Sequence, residues 1–216
     1  MSNHDDFKFE PVPGLPEHLP EGEELLWQGR PGTLLLARSA FGLDWLAGYF
    51  VLIVIWRAAA GFSDGGATLA LAKALPYVGL GLLGCGVVLL LAWASARATV
   101  YSITSARVVM RIGAALSITL NLPFSQIASA DLAKGPGDSG TIALRPLDNT
   151  KLSYIICWPH VRPWHMRHPE PALRCISNAT DVAALLSKAA QMNLITARNQ
   201  SARSSHAAQA NTVAAE

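Results

Sequence analysis

Two kinds of apolar periodicity divide this chain. Residues 74–96 (ALPYVGLGLLGCGVVLLLAWASA) carry no charge and are bracketed by Lys73 and Arg97. A helix rises about 1.5 Å per residue, so this run can cross a hydrocarbon core about 30 Å thick. An earlier run, WLAGYFVLIVIW at 45–56, continues past Arg57 through AAAGF to Phe62 and is long enough for a second helix. Trp45 and Trp56 suit anchoring at the membrane interface, and Arg57 and Arg97 can snorkel towards headgroups. The SDGG stretch within 63–73 reads as a turn. The pattern therefore predicts a two-helix transmembrane hairpin, with spans at 45–62 and 74–96 and a periplasmic connector at 63–73.

From Thr99 the period changes to two. Leu116, Ile118, Leu120 and Leu122 alternate with Ser117, Thr119 and Asn121, as in a half-buried strand. Further β-rich runs lie at 99–104, 107–112, 126–132, 141–145, 151–156 and 172–176, separated by turn signals at Gly113, at GPGDSG (135–140) and at Asp148–Asn149. After Asn178 or Thr180, either of which can cap a helix, Val182, Leu185, Leu186 and Ala189 form one apolar stripe. Seven short strands closed by a C-terminal helix is the element order of a pleckstrin-homology-like β-barrel. The predicted class is thus an α+β membrane protein with a PH-like domain at 97–193. Residues 1–44 read as an extended, proline-rich acidic arm with one strand at 25–27. Residues 194–216 show no apolar period and are predicted to be a disordered tail.

Composition supports lipid as the solvent for part of the chain. Hydrophobic residues make up 51% and charged residues 15%, where soluble domains carry about 25% charge. Cys85, Cys157 and Cys175 show no CxxC or paired spacing, which excludes a disulfide framework or a zinc ribbon. The charge is unevenly spread. The first 44 residues are acidic and 97–192 are basic, so the two can attract each other, or the body can sit on anionic lipid. Neither part is dense enough in Lys and Arg for nucleic acid. Arg30, Arg38, Arg97, Arg107 and Arg111 flank the terminal side of the hairpin against Arg57 and Lys73 on the connector side, which places both termini in the cytoplasm. The spans hold no acid for an ion path and no histidine to ligate haem or chlorin, so no cofactor is expected.

Two groups of residues are candidates for recognition. Gly79, Gly81, Gly84 and Gly86 let another helix approach closely, either the first span or a partner's helix, a second copy of the chain included. The segment WPHVRPWHMRHPEPALR (158–174) combines Trp158, His160, Arg162, Trp164 and Arg167 with four prolines. Trp and Arg are enriched at binding hot spots, so this loop reads either as a partner-binding surface or as a connection whose tryptophans cover the domain or touch headgroups. Cys157, His160, His165 and His168 match no zinc spacing, and no metal is expected. Arg107 and Arg111 share one strand face, but no basic cluster gathers at the first hairpin turn to hold a phosphate. Ser125 lies outside a GxSxG elbow, the cysteines have no defined base, and Gly135–Gly140 reads as a hairpin turn, so no enzyme is expected.

FEPVPGLPEHLPEGEELLWQGRP (9–31), the two apolar runs, TVYSITSARVVMRIG (99–113), LPFSQI (122–127) and WPHVRPWHMRHPEPALRCI (158–176) together resemble the PuhB family of photosynthetic-complex assembly proteins. The ITSARVV and PFSQI elements are shared with bacterial PH-like membrane proteins generally, whereas the arm and the WPHxRPW segment point to PuhB. The resemblance implies a non-catalytic factor of the bacterial inner membrane that helps assemble the reaction centre and its core light-harvesting antenna, with their subunits and membrane lipid as partners. Its rival is a membrane-anchored PH-like protein that senses lipid or stress, without a photosynthetic role.

Overall fold

A computed structural model describes residues 19–113, 117–147 and 152–213. The chain forms two compact units, one made of residues up to Arg30 and from Thr99 onward, the other of Pro31–Ala98.

The first unit contains two antiparallel sheets. One has the order β1 (Leu25–Gly29), β2 (Val100–Thr104), β3 (Arg107–Ile112), β4 (Ile118–Pro123). The other has the order β5 (Ile127–Lys134), β6 (Gly140–Pro146), β7 (Ala172–Ile176). A short 3-10 turn at Phe124–Gln126 separates β4 from β5, and the two strands do not pair. The closed barrel expected from sequence is therefore corrected to two open sheets. Seven strands are present among the described residues, but not the seven predicted. The run expected at 151–156 contributes a helical turn at 154–157, with residue 151 outside the described residues. The missing strand is β1, from ahead of the apolar segment.

β1 is held by charge as well as by its ladder. Arg107 donates to both carboxylate oxygens of Glu23 at 2.8 and 2.7 Å, and the Glu24 backbone exchanges bonds with Ser105. Burial pushes the Glu23 carboxyl up, but the Arg107 and Thr104 hydrogen bonds outweigh it and hold the group below its usual range. From Glu23 to Gly29 the supposed arm is part of the sheet domain. The part of that arm at 1–18 lies outside the described residues.

Tyr101, Ile103, Met110, Ile142, Leu144, Leu173 and Ile176 fill the core, each contributing about 1.5–3 kcal/mol by leaving water. β4 alternates as predicted, with Thr119 and Asn121 outward and Leu122 buried. The last helix carries the predicted stripe, with Val182, Leu186 and Ala189 buried. It runs over Ala179–Val213, so most of the tail expected to be disordered is helical. Alanine, the best helix former, is the commonest residue there and needs no apolar period.

The second unit holds a short helix, α1 (Thr33–Ser39), and α2 (Leu43–Ala98). α2 is long and apolar enough to cross a membrane. Its backbone leaves helical geometry at Gly65 and Gly66, where Gly66 has φ 76°. The turn expected across 63–73 is thus confined to two glycines, with helix on both sides. Gly29 pairs with Tyr101, so the segment between β1 and β2 must leave and return at one place. A straight helix of this length would separate its ends by about 80 Å. Instead, a Cβ on Gly61 would lie 2.6 Å from the Ala70 Cα, and one on Gly81 would lie 3.0 Å from Phe50. Gly84 faces Leu46 and Phe50, whereas Gly79 and Gly86 face open space. The four predicted packing glycines therefore divide into two that meet the first half of α2 and two that do not. Trp45 and Trp56 are exposed, Arg57 lies over the Tyr77 ring and Arg97 over Trp93.

Candidate functional site

The connection from β6 to β7 contains α3 (Tyr154–Cys157) and the WPHVRPWHMRHPEP loop. Its base is a short two-stranded ladder. Val161 bridges Pro171, Arg162 N–H donates to the Glu170 carbonyl, and Ala172 N–H donates to the His160 carbonyl, both at 2.9 Å. Residues 163–169 form the tip.

His160 points inward and is fully buried. Its Nδ1 lies 2.6 Å from the Tyr101 hydroxyl and its Nε2 2.9 Å from Thr99 Oγ1. The Tyr101 oxygen also accepts from Arg174 N–H at 3.3 Å, so the one hydroxyl joins the buried ring to β7. Burial, with the Arg174 charge, lowers the His160 pKa to about 3 and keeps the ring neutral. Burial likewise pushes the Tyr101 and Cys157 groups up, so neither ionises readily.

Arg162 belongs to a closed ring of charges. It donates to Glu170 and to Asp131 at 2.9 Å, while Arg145 donates to Glu170 at 2.8 Å and lies 3.6 Å from Asp131. The Glu170 side chain is only 4% exposed. Burial would raise its pKa, but the hydrogen bonds from Arg145 and then Arg162 hold it below the usual carboxylate range. This ring ties β5, β6 and both sides of the loop base together.

The tip is built the opposite way. Trp164 is 87% and Met166 65% exposed. Trp164 adopts φ 66°, a left-handed conformation rare for a bulky residue and found where surrounding structure enforces it. His165 Nδ1 bonds the Pro163 carbonyl at 2.9 Å and shapes the turn beneath. Arg167 and His168 are exposed, as are Trp158 and, on α3, Ile155 and Ile156.

Of the five residues predicted to meet a partner, then, Trp158, Trp164 and Arg167 face outward. His160 is corrected to a core residue, and Arg162 to a brace that is only partly exposed. Sequence reasoning missed Met166, Ile155 and Ile156, the last two because they were read as strand, and it missed Glu170 as the centre of the brace. A lone acid between prolines in a basic loop was the available signal. Among the described residues, no group of three or more His, Cys, Asp or Glu could hold a metal ion. Arg107 is engaged by Glu23 and Arg111 is buried, so that pair is structural.

Comparison with known proteins adds three findings. A family model described as a bacterial PH domain (bPH_2) matches residues 41–190, covering α2 and β2 to β7 but not β1. A Rhodobacter capsulatus protein named "Uncharacterized 23.7 kDa protein in puhA 5'region" is 50% identical over 196 residues, 90% of this chain and 91% of that one. No solved structure matches.

Proposed function

Because this chain belongs to the bacterial PH domain family, as a PuhB-like member of it, we propose that it is a non-catalytic membrane factor that assembles the photosynthetic reaction centre and its core light-harvesting complex. The observation that carries the reading is the half-identity, over nearly the full length of both chains, with a protein whose name places it in the puhA 5′ region. The two halves of α2 act as two spans of the inner membrane, with the termini and the sheet domain in the cytoplasm. A cysteine introduced at Ser63 should then react with an impermeant thiol reagent from outside; reaction only after the membrane is opened would reverse this topology.

In this reading the braced loop is the client contact. The charge ring fixes the base, so little conformational freedom is lost when Trp164, Met166 and Trp158 dock, and Arg167 supplies a cation for an acidic client face. The exposed tip also favours a second reading, a PH-like domain that touches lipid and has no photosynthetic role. A deletion strain grown phototrophically separates the two. The assembly reading expects reduced reaction-centre and antenna absorbance and slowed growth; wild-type absorbance and growth would refute it.

A further inference from the structure

Between residues 45 and 96 the charged side chains are Arg57, Asp64 and Lys73. Lys73 pairs with Asp64, which leaves one positive charge over, on Arg57. Among the described residues no carboxylate meets Arg57, whose guanidinium lies 5.4 Å from the centre of the Tyr77 ring. A charge kept within an apolar span is costly and marks a site with a partner of its own. The packing of the two halves of α2 fixes its depth. Gly61 faces Ala70 and Gly81 faces Phe50. That antiparallel register sets Arg57 level with Ala74, beside Lys73 at the end of the uncharged run. From this level an apolar groove of about 280 Å³ runs inward between the two halves. Tyr77, Val78 and Gly81 line one side and Val54, Val51 and Ala47 the other, with no charged side chain among its lining residues. From Tyr77 to Cys85 it extends about 12 Å. The groove thus has a cation at its outer end and apolar walls below, and Tyr77 belongs to both.

We propose that this groove holds one phospholipid of net negative charge, with its phosphate on Arg57 and one acyl chain between the two halves of α2. The inference rests on the reading that both halves span the membrane. The order of chemistry along the groove selects the occupant. A guanidinium can bond two phosphate oxygens at once, and a phospholipid carries its phosphate at the membrane boundary with its chain directed inward. A partner's helix could fill the apolar walls, but to neutralise Arg57 it would need an acid of its own inside the bilayer, which is costly. A zwitterionic headgroup brings a cation beside its phosphate and leaves the excess charge uncompensated.

The test reconstitutes the full chain in nanodiscs of equimolar phosphatidylglycerol and phosphatidylethanolamine, releases it into detergent and weighs it by native mass spectrometry. The proposal expects one retained lipid, with phosphatidylglycerol preferred about fivefold, the worth of one cation beside anionic lipid. Arg57→Gln should erase that preference. Val78→Trp fills the groove with the charge intact and should abolish retention of either lipid. Circular dichroism of both variants should match that of the unaltered protein. Three outcomes would overturn the proposal: no retained lipid, equal retention of the two lipids, or an unchanged preference in Arg57→Gln. Alkaline washing of the membranes reads insertion separately. A chain released by alkali would overturn the spanning reading and this inference with it, whereas an inserted chain that retains no lipid overturns the inference alone.

Discussion

His160 and Trp164 sit on the same connection and are treated in opposite ways. The histidine is fully buried, and both ring nitrogens have hydroxyl partners on β2 or beside it. The tryptophan is 87% exposed, in a left-handed conformation with no apolar cover. Arg162 and Arg167 repeat the contrast, one bonded to Glu170 and Asp131, the other exposed. Base and tip have nearly the same composition, so composition does not decide which residues are available to a partner. The deciding factor is the ladder at 160–162 and 170–172, which turns one set of side chains into the domain and leaves the set beyond Pro163 outside.

The largest effect on stability is expected at the base. Glu170→Ala removes the acid that neutralises Arg145 and Arg162. Breaking a buried pair costs about 3–5 kcal/mol, and the partial exposure of the two arginines reduces this to about 2–3 kcal/mol. Chemical unfolding of the sheet domain, followed by its tryptophan fluorescence, should show that loss. An unchanged midpoint would mean that the charge ring is not a brace.

Next comes pH. Folding lowers the His160 pKa from 6.5 to about 3, so between those values the unfolded chain binds a proton that the folded chain does not. The stability contributed by the neutral ring is therefore complete above pH 6.5 and declines as pH falls towards 3. The slope is about 1.4 kcal/mol per pH unit well inside that window, or roughly 2 kcal/mol lost by pH 5. Glu23 and Glu170, both held low, add to the loss only below their unfolded range near 4.5. His160→Phe should be less stable at pH 7 by about 1–3 kcal/mol, because the Tyr101 and Thr99 hydroxyls lose their bonds to the ring. Its stability should also be flat between pH 6.5 and 5. A wild-type slope in that variant would move the titration to another group.

The smallest effect on stability is expected at the tip. Trp164→Ala with Met166→Ala should shift stability by no more than about 0.5 kcal/mol, as for other exposed positions. A shift as large as that of Glu170→Ala would make the tip part of the fold and remove the distinction.

How far this arrangement could be read from sequence depended on whether a signal was local. The alternation in Ile118–Leu122 and the stripe of Val182, Leu186 and Ala189 were legible, because one residue's neighbours fix its period. β1 was legible as a strand but not as a member of this domain. Its partner, β2, begins only after the whole of α2, and no local pattern records a pairing across such an insertion. The isoleucines at 155 and 156 suit a strand by propensity and lie in a helical turn because tertiary context overrides propensity. At the site, Trp164 and Arg167 were found from composition. The inward turn of His160 depends on Thr99 and Tyr101, far away in sequence, and so could not be read. One consequence is practical: replacing Trp158, Arg162 and Trp164 together would confound recognition with folding, because Arg162 braces the loop.

The most direct test is therefore confined to the tip. A deletion strain is complemented with the Trp164→Ala, Met166→Ala protein, and near-infrared absorbance of phototrophic membranes is recorded beside the amount of variant in them. The account predicts variant at wild-type abundance, with reaction-centre and core-antenna bands reduced to the level of the deletion. Wild-type bands at that abundance would contradict it, and would show that the tip is not where clients are met.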